Sequence, residues 1–306
     1  MNKFFFKIIQ LSIIPALVLF LLLLRQEQDR VVTLKRQLFE RHKGNTQCLI
    51  TGTSHTLNGI NPTLLPVRAL NIAEDAKAVE IDIEIIEKNL SQLPQLKYVI
   101  IPVDYFTFYF TGLREGSAAK LYHHWHLKDG FVKSYSFKRY HVFTCGFLPN
   151  EYDTNDQYDT IMGYRPEFKD LSKASPDYRL HKYKRKIIDW NSHWIETGSA
   201  PRIYKRLVNF ISMLQTKQIQ TILVTMPVCK QFYACLDPKL LNKNRQLIDS
   251  IVHATNARYI NLQNHHLFTA DSLFFDIDHL NDKGATIATA IIRDSLYNFS
   301  DALSTN

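Results

Sequence analysis

Hydrophobic positions along this chain follow two patterns. From Phe4 to Leu24 (FFFKIIQLSIIPALVLFLLLL) they are almost continuous. A helix of that length spans the roughly 30 Å hydrocarbon core of a bilayer, with Lys7 close enough to the end to snorkel. After this run they come in short bursts: Cys48–Gly52 (CLITG), Ala69–Ala73 (ALNIA), Tyr98–Val103 (YVIIPV), Thr221–Met226 (TILVTM) and Tyr259–Leu262 (YINL). Each burst is short, apolar and without polar alternation, which predicts five strands buried on both faces, as in a parallel sheet.

Between the bursts the spacing turns helical. Ala76–Leu93 carries apolar residues at helix-compatible intervals and stops before Pro94; Pro238–Thr255 and Asp282–Leu296 repeat the pattern. The charged stretch Gln26–Lys43 predicts a short juxtamembrane helix. Strands alternating with helices predict an α/β domain with a parallel sheet wound by helices on its faces. The rhythm breaks at about 105–200, where YFTFYFTG, LYHHWHLKDG and PNEYDTNDQYD read as an insertion over the carboxyl ends of the strands, the edge at which α/β domains place ligands. The expected organisation is an anchor over 1–25, a stalk over 26–45 and one domain over 46–300. With 306 residues, 45% of them hydrophobic, the chain can bury one large core.

Composition narrows the partners. The net charge of +8 is compatible with nucleic acid, anionic lipid or an acidic polymer. No nucleic-acid-binding motif accompanies the charge and an apolar segment precedes the domain, so nucleic acid is excluded. The terminal run lacks a small-x-small cleavage site and no lipid-bearing Cys follows, which favours an uncleaved bilayer anchor through residues 4–24 over a signal peptide. Basic residues flank it on both sides. Read literally, the positive-inside rule places the domain in the cytosol, whereas a short N-terminal tail with an early Lys and a long downstream domain favour an extracytoplasmic, periplasmic location.

Four cysteines without CxxC spacing imply neither a zinc site nor a disulfide framework. Cys229 and Cys235 are near enough in sequence to bridge, though free thiols are the simpler reading. His123, His124 and His126 lack a matched ligand pair, so no metal is expected, and no cofactor is required. The basic run Arg179–Lys186 (RLHKYKRK) reads as a solvated face.

Two motifs carry chemistry. In CLITGTSHTLNGINP, Ser54 follows a buried strand and a Gly turn, where its hydroxyl is exposed at the sheet edge and helix N-terminal amides face a developing oxyanion. Its structural alternative is a helix N-cap. In FFDIDHLNDKGA, Asp276 and His279 are three residues apart just before the last helix, so one loop supplies an imidazole base and the carboxylate that orients it. His55 is beside Ser54, but adjacency places it poorly as a base.

With one motif opening the domain and the other closing it, the chain resembles the SGNH/GDSL hydrolase superfamily over roughly residues 48–296. The phrases TGTSHTLNGINP, QLPQLKYVIIPVDYFTF, LVTMPVCKQFY and FFDIDHLNDKGA are closest to its envelope-associated branch, which resembles proteins of alginate O-acetylation and teichoic-acid D-alanylation. The resemblance implies a flavodoxin-like three-layer α/β fold and a catalytic set of Ser54, Asp276 and His279. It further implies a serine esterase or O-acyltransferase acting on acylated envelope or extracellular polysaccharide. A membrane acyltransferase is an implied partner.

Two departures concern the oxyanion site. Thr53 stands where the family motif has Asp, and the family's Gly after the second strand and Asn after the third are missing. Here those regions read NIAEDAKA and IPVDYFTF. The Ala73 amide or a neighbour is a substitute donor; Asn58 and Asn71 are spare donors better suited to packing. Asp104 near the Asn place would repel an oxyanion unless protonated or turned away. The rival expectation is a silent SGNH-like protein that binds glycan or an acyltransferase partner.

Overall fold

The computed structural model describes residues 30–110, 125–127, 162–189 and 197–304, with isolated positions 13, 15 and 17. Most of the apolar run 4–24 and most of the histidine-rich part of the insertion lie outside them, as do His123, His124 and Cys145. Among the described residues no helix is long and apolar enough to cross a membrane. The chain divides into two compact units, 1–37 with 114–156, and 38–113 with 157–306. In the first, the Arg36 guanidinium lies 5.5 Å from the centre of the Trp125 ring, a cation–π contact.

The second unit is an α/β domain. Its five strands are β1 (Cys48–Ile50), β2 (Ala69–Asn71), β3 (Tyr98–Pro102), β4 (Gln220–Thr225) and β5 (Arg258–Asn261). All pair in parallel, in the order β2-β1-β3-β4-β5, which is the flavodoxin-like arrangement. Leu49, Ile50, Leu70, Val99, Ile100, Ile222, Leu223 and Val224 are all fully enclosed. A sheet covered on both faces therefore explains the unbroken apolar bursts.

The helices are α1 (Arg30–His42), α2 (Ser54–Gly59), α3 (Val79–Asn89), α4 (Pro176–Asp189), α5 (Ala200–Thr216), α6 (Lys230–Tyr233), α7 (Pro238–Thr255) and α8 (Asp282–Ser304). Contacts group α3, α5 and α7 together and α2 with α8, one set for each face of a right-handed parallel sheet. In α1, Leu38 and Phe39 are buried and belong to the second unit.

The inserted stretch is not loop throughout. Joining β3 to a parallel β4 requires a crossover, and α5 provides it with Ile203, Leu207, Phe210, Ile211 and Leu214 buried along one stripe. The basic run became part of helix α4, held to the 271–279 loop along one face. Arg179 pairs with Asp271 at 2.7 Å, Tyr183 lies 3.5 Å from the Cys229 sulfur, and Lys186 pairs with Asp278 at 2.7 Å. Residues at i, i+4 and i+7 share one helix face, so the charges that read as solvated include two, Arg179 and Lys186, that reach acidic partners on the domain. Cys229 and Cys235 are both free thiols.

Candidate active site

The chain leaves β1 through Thr51 and Gly52, and Gly52 takes φ +114°. A Cβ there would lie 2.2 Å from Pro102 Cγ and 2.7 Å from Thr56 Oγ1, so only glycine fits this crossing of backbone over β3. Several bonds then fix the turn. The Gly52 carbonyl accepts from the Glu74 amide at 3.0 Å, and the Thr56 hydroxyl donates to the Thr51 carbonyl at 2.6 Å. Thr53 caps α2, its hydroxyl accepting from the His55 amide at 3.3 Å. The N-cap is therefore Thr53, and Ser54 is the first helical residue, half-buried with its hydroxyl free for other work.

A second loop approaches from the other end of the chain. Asp276 Oδ1 accepts from the Asp278 amide at 3.1 Å and the His279 amide at 2.9 Å, which folds the loop back on its own carboxylate. Asn281 ties it down by donating to the carbonyls of Lys169 and Ser272. Gly284 lets α8 start close beneath, since a Cβ there would lie 2.3 Å from the Leu273 carbonyl oxygen.

The two loops meet in a hydrogen-bonded chain. His279 Nε2 lies 2.7 Å from Ser54 Oγ. Its Nδ1 lies 2.8 and 3.0 Å from the two oxygens of Asp276. Phe275 stacks on one face of the imidazole with centroids 5.2 Å apart, and His55 meets it edge-on at 5.1 Å. These contacts fix the ring plane, so Nε2 presents its lone pair to the hydroxyl when Nδ1 carries the proton. Such a chain activates a hydroxyl for attack on a carbonyl.

The other residues anticipated at this site are otherwise engaged. Asn71 Nδ2 donates to the carbonyls of Thr56 and Ile60 at 2.9 and 3.1 Å, and its Oδ1 accepts from the Ala73 amide at 2.9 Å. Neither Asn71 nor the Ala73 amide is thus left to serve an oxyanion; they lock α2 to the end of β2. Asn58 likewise binds the Arg165 carbonyl and guanidinium. Asp104 is turned away from Ser54: Oδ1 accepts from the Met226 amide at 2.8 Å, and Oδ2 lies 3.0 Å from His55 Nδ1.

Asp278 and Tyr105 entered the site without a clear sequence signal, and His55 and Lys186 entered it in roles other than those weighed from sequence. Asp278, buried, reaches Lys186 at 2.7 Å, Tyr105 Oη at 3.3 Å and His55 Nε2 at 3.4 Å. Burial alone would raise the pKa of Asp278, but Lys186, His279 and His55 together hold it well below the usual carboxylate range. His55 is opposed by burial, yet Asp104 and then Asp278 push it up to about 9. The one available hint was the second carboxylate in Asp-Ile-Asp-His.

Behind the Ser54 turn lies a further buried ion group. Lys77 Nζ is 2.9 Å from Asp82 Oδ1 and donates to the Ile72 carbonyl. Burial pushes Asp82 up to about 7 against the pull of Lys77.

Among the described residues, His55, Asp278 and His279 offer donor atoms close enough to share an ion. His55, pushed up to about 9 by Asp104 and Asp278, and Lys186 on Asp278 both compete with a metal cation for these carboxylates, which disfavours one here.

No family model matches the chain, and no curated protein matches it. Among solved structures it is similar to the crystal structure of a protein from Bacteroides fragilis NCTC 9343 described as a "putative acylhydrolase", with a TM-score of 0.43 and 9% identity over 84% of this chain and 89% of that one. A likeness that remote carries no argument about chemistry, which rests on the geometry above.

Proposed function

We propose that the chain is a serine-dependent acyl-ester hydrolase or O-acyltransferase of the SGNH type. The carrying observation is the continuous Ser54–His279–Asp276 chain. In this reading Ser54 Oγ attacks the ester carbonyl as His279 Nε2 takes its proton, and Asp276 holds the resulting imidazolium. The tetrahedral intermediate collapses to an acyl-serine, with His279 returning the proton to the departing alcohol. Water, or the hydroxyl of an acceptor, then attacks the acyl-serine with the same histidine as base, and Ser54 is regenerated. The Ser54 amide, at the first helical position with no carbonyl a turn earlier to bond, supplies one oxyanion donor.

We take the finer parts of the proposal from sequence. The run 4–24 supports a bilayer anchor and an extracytoplasmic domain, and the resemblance of the two motifs supports an acylated envelope polysaccharide as substrate and a membrane acyltransferase as partner. A second reading, a silent glycan- or partner-binding protein, is favoured by one observation: Asn71, the Ala73 amide and Asp104 are all committed elsewhere, which thins the oxyanion site. Loss of one donor costs about 3 kcal/mol of transition-state stabilisation, which slows a triad without abolishing it.

The test is to treat the detergent-solubilised full chain with a serine-directed fluorophosphonate and an acetyl ester, beside Ser54→Ala. Labelling and ester turnover lost only in Ser54→Ala support the enzyme. Equal labelling in both, or none in either, sinks it in favour of the binding protein.

A further inference from the structure

The reacting chain of Ser54, His279 and Asp276 makes no use of Asp278, yet Asp278 is one of the most enclosed charged side chains in the domain. Its Oδ2 gathers Lys186 Nζ at 2.7 Å, Tyr105 Oη at 3.3 Å and His55 Nε2 at 3.4 Å. Its Oδ1 has no aligned hydrogen bond and lies 3.2 Å from His279 Nδ1. One imidazole N–H therefore faces two carboxylates, Asp276 and Asp278, and only one can hold it well. If Asp278 won, the ring would turn and Nε2 would leave Ser54.

His55 lies within reach of that competition. Only 3% exposed, it lies between Asp104 Oδ2 at 3.0 Å and Asp278, with its ring against those of Tyr105, Phe106 and His279. Three carboxylates (Asp104, Asp276, Asp278) and two cations (His55, Lys186) leave one negative charge while His279 is neutral. None remains once His279 holds the Ser54 proton. Lys186 is the nearer and stronger partner of Asp278, at 2.7 Å against 3.4 Å, but its end is partly exposed, whereas His55 is enclosed and faces both Asp104 and Asp278.

We propose that His55 is a positioning residue: it neutralises Asp278 so that His279 Nδ1 stays on Asp276, and it sets the cluster to reach charge balance as Ser54 gives up its proton. This rests on the serine-hydrolase reading. Removing His55 alone leaves an excess carboxylate beside His279. Removing Asp104 with it restores the count, since Asp276, Asp278 and Lys186 again sum to one negative charge.

The experiment compares fluorophosphonate labelling rates of the full chain, H55Q and the double variant H55Q/D104N. The expected result is a loss of about tenfold or more in H55Q and recovery to within about threefold in the double variant, because paired charges couple non-additively. A double variant no faster than H55Q overturns the proposal. A second readout needs no activity: imidazole 15N–1H spectra of the unsubstituted chain, with His55 identified by its disappearance in H55Q. Both His55 nitrogens protonated at pH 7 is the expected result, and a neutral His55 overturns the proposal even if the chain labels well. If the unsubstituted chain does not label at all, the hydrolase reading falls and the catalytic role of His55 falls with it, whatever the spectra show.

Discussion

The Nε2 of His279 lies 2.7 Å from the hydroxyl of Ser54, 225 residues earlier in the chain. No local sequence preference produces that contact. β1 delivers Ser54 to the carboxyl edge of the sheet, α8 anchors the loop that delivers His279, and the packing of α2 against α8 closes the distance.

Ser54→Ala removes the attacking atom and leaves the turn intact, because Thr53 provides the cap. Ester turnover and fluorophosphonate labelling disappear while the thermal midpoint stays close to that of the parent. Asp276→Asn keeps the loop's shape but supports the wrong tautomer of His279, and turnover falls by about three to four orders of magnitude. Steady-state kinetics with matched circular dichroism spectra check both.

Gly52→Ala puts a methyl into Pro102 and forces a residue with a Cβ to φ +114°. The expected cost is about 2 to 4 kcal/mol, read from urea denaturation, with labelling lost because the Ser54 turn is displaced. Unchanged stability would mean that the crossing over β3 is looser than described.

Asn71→Ala separates a structural from a catalytic role. Asn71 joins the carbonyls of Thr56 and Ile60 to the amide of Ala73, so its loss leaves buried groups unpaired at about 2 to 3 kcal/mol. An oxyanion donor would instead show normal stability with reduced kcat. The expected result is reduced stability, with kcat near normal in the fraction that remains folded.

Stability is expected to fall on the alkaline side. His55 is raised from 6.5 to about 9, so its contribution is complete below the unfolded value and is lost as pH rises through 9. Asp82 is raised from 3.8 to about 7, and its contribution likewise fades as pH climbs from about 4 through 7. Asp278 is held well below 3.8 and works in the opposite direction, its contribution being lost only in strong acid. Urea midpoints at pH 5, 7 and 9.5 should decline in that order. The gap between parent and His55→Gln should be a few kcal/mol at pH 5 and shrink above pH 9.

The elements were readable to different depths. The five strands appear where the apolar bursts lie, ending one or two residues earlier because the chain turns at the sheet edge. The start of α7 at Pro238 follows from the Pro itself, with Asp237 capping it. The crossover α5 was hidden because its apolar stripe adjoins a stretch rich in aromatics and turns, which masks the change of period. The inward face of α4 was hidden for a different reason: Arg179 and Lys186 are chemically indistinguishable from the solvated lysines between them until their acidic partners are placed.

Local pattern therefore determined the strands, their parallel type, the Ser54 turn and the Asp276/His279 loop, because each depends on residues within a few positions of one another. Tertiary structure decided the strand order, the meeting of Ser54 with His279, and the direction of Asp104. It also decided that Asn71 and the Ala73 amide serve the backbone, and that His55 lies between two carboxylates. These choices belong to distance in space. A buried charge is stabilised or penalised by whatever the sheet order and the inserted helix bring within a few ångströms, and neither can be read from the residues beside it.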